Sequence, residues 1–114
     1  MLTATMPALA EWKRYSQNDD AFYYVDSKTI HDSGHFRRAW TLMDRNVPAP
    51  GGALSHLILF EFDCGGQRAR FLSLTSRSGH MAQGKTLAAD AFPHEWIYVS
   101  PHRTSALTLR YVCQ

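Results

Sequence analysis

Only two cysteines, Cys64 and Cys113, stand in this 114-residue chain, and neither belongs to a Cys-x-x-Cys or Cys–His cluster. That absence argues against a structural zinc site and against a thioredoxin-like redox pair. Two lone cysteines far apart, one of them penultimate, suggest a staple that pins a C-terminal element onto a sheet. The alternative is a pair of buried thiols that never meet. A bridge would close a long loop, worth about 3–5 kcal/mol in the chain-entropy model. It would also require an oxidising compartment: periplasm, cell surface or the outside of the cell. No apolar run approaches the roughly 20 residues of a membrane span. An excess of one charge is missing too: the formal net charge of +2 is too weak to argue for nucleic acid. No Gly-x-Ser-x-Gly elbow, Gly-Lys-Ser/Thr phosphate loop, internal repeat or low-complexity tract occurs.

What the chain does have is apolar and aromatic residues, 45% and 12% of the total. That excludes a disordered chain and suits one domain with one modest core. Met1 to Ala10 is expected to be a tail or the remnant of a signal peptide, because Ala8-Leu9-Ala10 is a small-x-small pattern. Residues 11–114 are expected to form the domain.

Short strand signals dominate. Glu11 to Tyr15 is a candidate strand, and Phe22 to Val25 is a strong one, rich in aromatic and β-branched residues. His35 to Asp44 alternates, with Phe36, Arg38, Trp40 and Leu42 on one face and Arg37, Ala39, Thr41 and Met43 on the other. Ser55 to Cys64 and Gln67 to Arg77 read as a hairpin around Gly65-Gly66, a pair suited to a two-residue type I′ turn. That register sets Asp63 against Arg68, Glu61 against Arg70, Phe60 against Phe71 and Phe62 against Ala69. Opposite charges then share one face and aromatics the other, which a one-residue slip would destroy. Gly84 to Ala89 and Glu95 to Val99 are further short strands. Ser100-Pro101 is a helix-start signal, with Ala106, Leu109, Val112 and Cys113 on one face of a helix over about 101–113.

The expected fold class is therefore α+β: an antiparallel meander of five to six strands with a C-terminal helix packed on it. Trp12, Tyr24, Trp40, Phe60, Phe62, Phe71, Trp96 and Leu109 are the expected core. A meander with unprotected edges can pair strands to make a homodimer.

Chemistry-bearing residues are scattered. His31 and His35 have helical ligand spacing but flank a turn, and His56, His80, His94 and His102 stand apart, so no metal and no cofactor is expected. Asp19, Asp20 and Asp32 read as turn residues, and Glu61 and Asp63 as cross-strand partners. A catalytic triad is not visible in the spacing. Arg68 and Arg70 have partners in the hairpin register, which leaves Arg37, Arg38, Arg77 and Lys85 as spare cations and the candidate binding residues.

With these residues in place, the chain resembles the bacterial surface-adhesin protein E family. The matching pieces are Trp12, Tyr23-Tyr24-Val25-Asp26 with Ile30, and Ala39-Trp40-Thr41-Leu42-Met43-Asp44. They continue with Asp63-Cys64 followed by Arg68 and Arg70, then Gly84, Trp96, Val99-Ser100-Pro101 and Val112-Cys113. The resemblance implies an exported Gram-negative protein with an antiparallel sheet, a C-terminal helix and a Cys64–Cys113 disulfide. It implies binding to host or extracellular proteins and carries no catalytic residue onto this chain. The resulting expectation is a non-catalytic binding module of the periplasm, the cell surface or the secreted fraction, whose partner displays acidic or sulfated groups. A periplasmic accessory protein with a small-ligand pocket and a small hydrolase with a hidden His/Ser/Asp site are the competing readings.

Overall fold

The alternation over 36–45 and the hairpin over 55–77 form the centre of one antiparallel sheet in a computed structural model that describes residues 10–114. Within these residues the strands are β1 (Trp12–Gln17), β2 (Ala21–Asp26), β3 (His31–Ser33), β4 (Phe36–Arg45), β5 (Ser55–Asp63), β6 (Arg68–Arg77), β7 (Thr86–Asp90) and β8 (Ile97–Tyr98). One α-helix, α1 (Thr104–Val112), follows, and a 3-10 turn, Ser27–Thr29, joins β2 to β3. The main path runs β1-β2-β4-β5-β6-β7, a six-strand meander; β3 pairs with β4, and β8 pairs with β6. The expected class and the six-strand meander hold; β8 falls within the strand expected over Glu95 to Val99, and β3 is an addition. The expectation for Met1 to Leu9 lies outside the described residues.

The hairpin register is the one that the charges demand: Asp63↔Arg68, Glu61↔Arg70, Phe62↔Ala69 and Phe60↔Phe71. The turn differs from the expected type I′ pair. Cys64 to Gln67 form a longer turn in which Gln67, at φ 53°, takes the left-handed conformation and neither glycine does. Asp63 Oδ1 accepts the Gly66 N–H at 2.9 Å and closes over the turn. A Cβ at Gly66 would lie 2.9 Å from Asp63 Cγ, so glycine is needed there for close approach rather than for φ. A bulge between Leu59 and Phe60 then shifts the rest of the pairing.

Side chains of β4, β5 and β6 alternate between two faces. Ala39, Phe62 and Ala69 meet Ala106, Leu109 and Val112 of α1 in the core, together with Val25 and Val99. The disulfide joins Cys64, just after β5, to Cys113, just after α1, across a Cα–Cα distance of 5.8 Å. The helix begins later than expected. Val99 is buried in the core, so the chain stays extended through it. Pro101 to Arg103 then turn, with the Arg103 N–H donating to the Ser100 carbonyl, before α1 starts at Thr104. The expected core is also corrected. Phe62 and Leu109 are buried, but Trp12, Tyr24, Trp40, Phe60, Phe71 and Trp96 are half-buried. One short helix covers only part of one face, and small residues such as Ala39 and Ala106 let it sit close.

Candidate functional site

The face opposite α1 is left uncovered by α1 and carries both aromatic and basic groups. Register places Trp12 beside Asp26, Tyr24 beside Leu42 and Trp40 beside Leu59 on this side. Next to that row, Arg38, Glu61 and Arg70 stand across three adjacent strands. Glu61 is only 2% exposed, so its cross-strand pairing is made with a buried carboxylate. It accepts from Arg38 Nε at 2.9 Å, and from Arg70 Nη2 at 2.7 Å and Nε at 3.0 Å. Burial pushes its carboxyl up, but hydrogen bonds from Arg70 and Arg38 outweigh that and hold it below the usual carboxylate range. A buried carboxylate with two arginines is stable because its lone pairs are occupied.

Trp96 lies on the same side. The guanidinium carbons of Arg68 and Arg70 are 4.6 and 4.5 Å from its ring centroid. Phe36 packs against it at 4.9 Å. Arg68 Nε donates to Asp63 Oδ2 at 2.8 Å. That hydrogen bond and one from the Gly66 N–H hold Asp63 below its ordinary range. Three arginines thus face two carboxylates. Arg38 and Arg68 each use only Nε, so their Nη donors have no protein partner among the described residues. An aromatic ring with guanidiniums against it can bind planar or anionic groups by stacking and bidentate hydrogen bonding.

The four cations singled out from the sequence do not converge. Arg38 lies on the open face. Arg37 lies on the helix side, where its Nη1 donates to the carbonyls of Val112 (2.7 Å) and Gln114 (3.2 Å) and its Nε to Asp32 (2.9 Å). Arg77 holds the β6–β7 connection through the Ala82 carbonyl and Thr86 Oγ1. Lys85 is exposed at the start of β7. Arg68, Arg70 and Trp96 escape sequence reasoning for two reasons. A charge partner in the register hides the free Nη donors of a guanidinium, and the strand signal over Glu95 to Val99 does not say that it pairs with β6.

Histidines form three separate pairs: His56 with Ser76 (2.9 Å), His80 with Asp44 (3.1 Å) and His94 with Asp90 (3.1 Å). Burial, aided by the charge of Arg45, lowers the His56 pKa. His56 and Asp44 lie on opposite faces, as the register Met43↔His56 and Asp44↔Ser55 requires. No group of three or more potential metal ligands occurs among the described residues. A cleft of about 120 Å³ lies between Tyr15, Tyr23, Met43, Phe60 and Thr108. That is small against the roughly 300–1,000 Å³ of most small-molecule sites. A wider depression of about 430 Å³ opens beside β8 against Ile97, Tyr98, Ser100, Arg103 and Ser105, with no histidine or carboxylate in its wall.

The family model of surface-adhesin protein E matches residues 12–114. The chain belongs to the surface-adhesin protein E family. Solved structures of Haemophilus influenzae protein E share its fold. One crystal form has a TM-score of 0.69 at 17% identity, covering 98% of this chain and 94% of that one. A selenomethionine form has a TM-score of 0.70 at 16% identity, with 98% and 92% covered. Protein E from a non-typeable strain gives 0.65 at 17% identity, with 98% and 81% covered. No curated protein matches the chain. Family membership places the protein among exported or cell-surface proteins, and the disulfide agrees with an oxidising compartment. No helix of the described residues is long and apolar enough to cross a membrane.

Proposed function

We propose that this protein is an exported, non-catalytic adhesin-like module that binds acidic or sulfated groups on extracellular or host proteins through its open sheet face. The arrangement of Arg38, Arg68 and Arg70 with Trp96 supports this reading. It offers guanidinium donors beside an aromatic ring, fixed by the buried Glu61 and by Asp63 before any ligand arrives. Preorganised donors lose little entropy on binding. Of the sequence-picked cations, Arg38 belongs to this face. Arg77 and Lys85 add positive charge near the β6–β7 connection, and Arg37 serves α1 from the other side.

Binding to heparin as a sulfated probe tests the reading. Affinity should fall as salt rises, because exposed charges are screened over about 8 Å at physiological ionic strength. An Arg38→Gln, Arg68→Gln double variant should weaken binding roughly tenfold, at up to about 1 kcal/mol for each exposed charge contact. Salt-insensitive binding that survives both substitutions would refute the site. Turnover of any substrate that is abolished by His56→Ala would refute the non-catalytic reading.

A further inference from the structure

β6 carries two strands on its outer side. β7 pairs with Leu74 to Arg77, and β8 with Arg68 and Ala69. Between them the His94 N–H donates to the Phe71 carbonyl at 2.8 Å. One edge of the sheet is therefore a composite rim that follows β6 over its length. The rim is bare. All of β7 but Asp90 is exposed, and no strand pairs with its outer side among the described residues. Leu87, Phe92, Ile97 and Tyr98 are 45–64% exposed and all lie on this rim, whereas only Val47 and Leu107 are similar elsewhere in the described chain.

The opposite edge is defended. β1 carries exposed Lys13 and Arg14 and a bulge between Arg14 and Ser16, devices that discourage strand addition. In β7, by contrast, Thr86-Leu87-Ala88-Ala89 has no charge, proline or inward lysine, and the strand's one charged residue, Asp90, is paired with His94 at 3.1 Å. A bare backbone ladder with apolar side chains alongside is the geometry of β-strand addition, in which main-chain hydrogen bonds give affinity and alternate side chains give selectivity.

We infer that the β7–β8 rim takes up an extended peptide segment of a partner protein, apolar at alternate positions and acidic at both ends. The ends are set by charge. Exposed Lys85 precedes β7, and Arg103 lines the depression beyond β8. A second copy of this chain fits less well. Two-fold pairing of β7 with β7 would bury only five residues per chain and leave Ile97 and Tyr98 off the contact. That is far below the roughly 800 Å² per partner of a stable interface. The rim adjoins the arginine platform at Trp96, which precedes β8, but the Arg38, Arg68 and Arg70 side chains belong to the sheet face, so the Arg38→Gln, Arg68→Gln variant should leave rim protection unchanged and keeps the two readings separable.

The experiment uses the full chain and a blocked peptide of alternating valine and threonine with glutamate at each end. Amide exchange of residues 86–90 should slow at least about tenfold at saturating peptide, while β1 amides stay unchanged. Replacing both terminal glutamates by lysine should weaken binding roughly fivefold. A Leu87→Lys, Ala89→Lys variant, with both changes at exposed positions, should keep its melting temperature and lose the protection. Three results would overturn the inference: no protection at millimolar peptide, equal protection in the lysine variant, or concentration-dependent protection without peptide, which would assign the rim to self-association.

Discussion

Glu61 shows how far single residues could be read in advance. Its partner Arg70 follows from charge alternation across the hairpin, a local signal. Its burial does not, because Arg38 reaches it from β4 and Trp96, from the segment before β8, packs on its partner Arg70. The pH dependence follows from its depressed folded pKa. Between the folded value and the unfolded value near 4.3, the unfolded chain binds the extra proton. Stability is therefore complete above about pH 5 and is lost as pH falls through the folded pKa. Glu61→Gln should cost about 1–3 kcal/mol at neutral pH and flatten this acid limb in thermal melts, leaving the part due to Asp63 and Glu11. Tyr15 supplies the alkaline counterpart. Burial pushes its phenol up to about 12, against a hydrogen bond donated by Thr108 that lowers it. The unfolded chain ionises near 10, so this contribution is present below that pH and lost as pH rises toward 12. Of the five tyrosines, Tyr15 should be the last to ionise in an absorbance titration. Ionisation of all five near pH 10 with the fold intact would contradict the packing.

At the scale of elements, the alternating strands were legible and the boundaries set by tertiary contact were not. β4 and the hairpin carry their faces in their own spacing. β3 is too short to have a period, β8 keeps only Ile97 and Tyr98 of the strand expected over Glu95 to Val99, and the start of α1 depends on Val99 being drawn into the core. The helix itself is amphipathic but has no side-chain cap at its start, and it is tethered chiefly from its other end. Arg37 donates to the carbonyls of Val112 and Gln114, and the disulfide closes across 49 residues. Replacing Cys64 and Cys113 by alanine should cost about 4 kcal/mol in denaturant unfolding. Arg37→Ala should cost about 1–3 kcal/mol through lost charge-assisted bonds. Its effect should grow when the bridge is absent, since both devices hold the same end. Strictly additive losses would show that the two act independently.

For the molecule as a whole, the fold class and the staple could be inferred from cysteine placement and strand chemistry. The proposed binding platform could not, because it is assembled from four separate segments. The chain's family gives the whole its exported context, and the sheet's two sides divide the labour: α1 closes one and leaves the other open. The bridge also dictates how tension would travel through such an exported protein. A pull between Ala10 and Gln114 passes along the chain to Cys64, crosses the sulfurs to Cys113, and bypasses everything between them. Only the stretch from Ala10 to Cys64 can then be drawn out, about 190 Å of contour at ~3.5 Å per residue, against about 360 Å once reduced. Single-molecule extension should show that difference on adding reductant. Under load the bridge thus acts as a mechanical shunt. β1 to β5 peel away while the loop holding β6, its outer rim and α1 carries no tension.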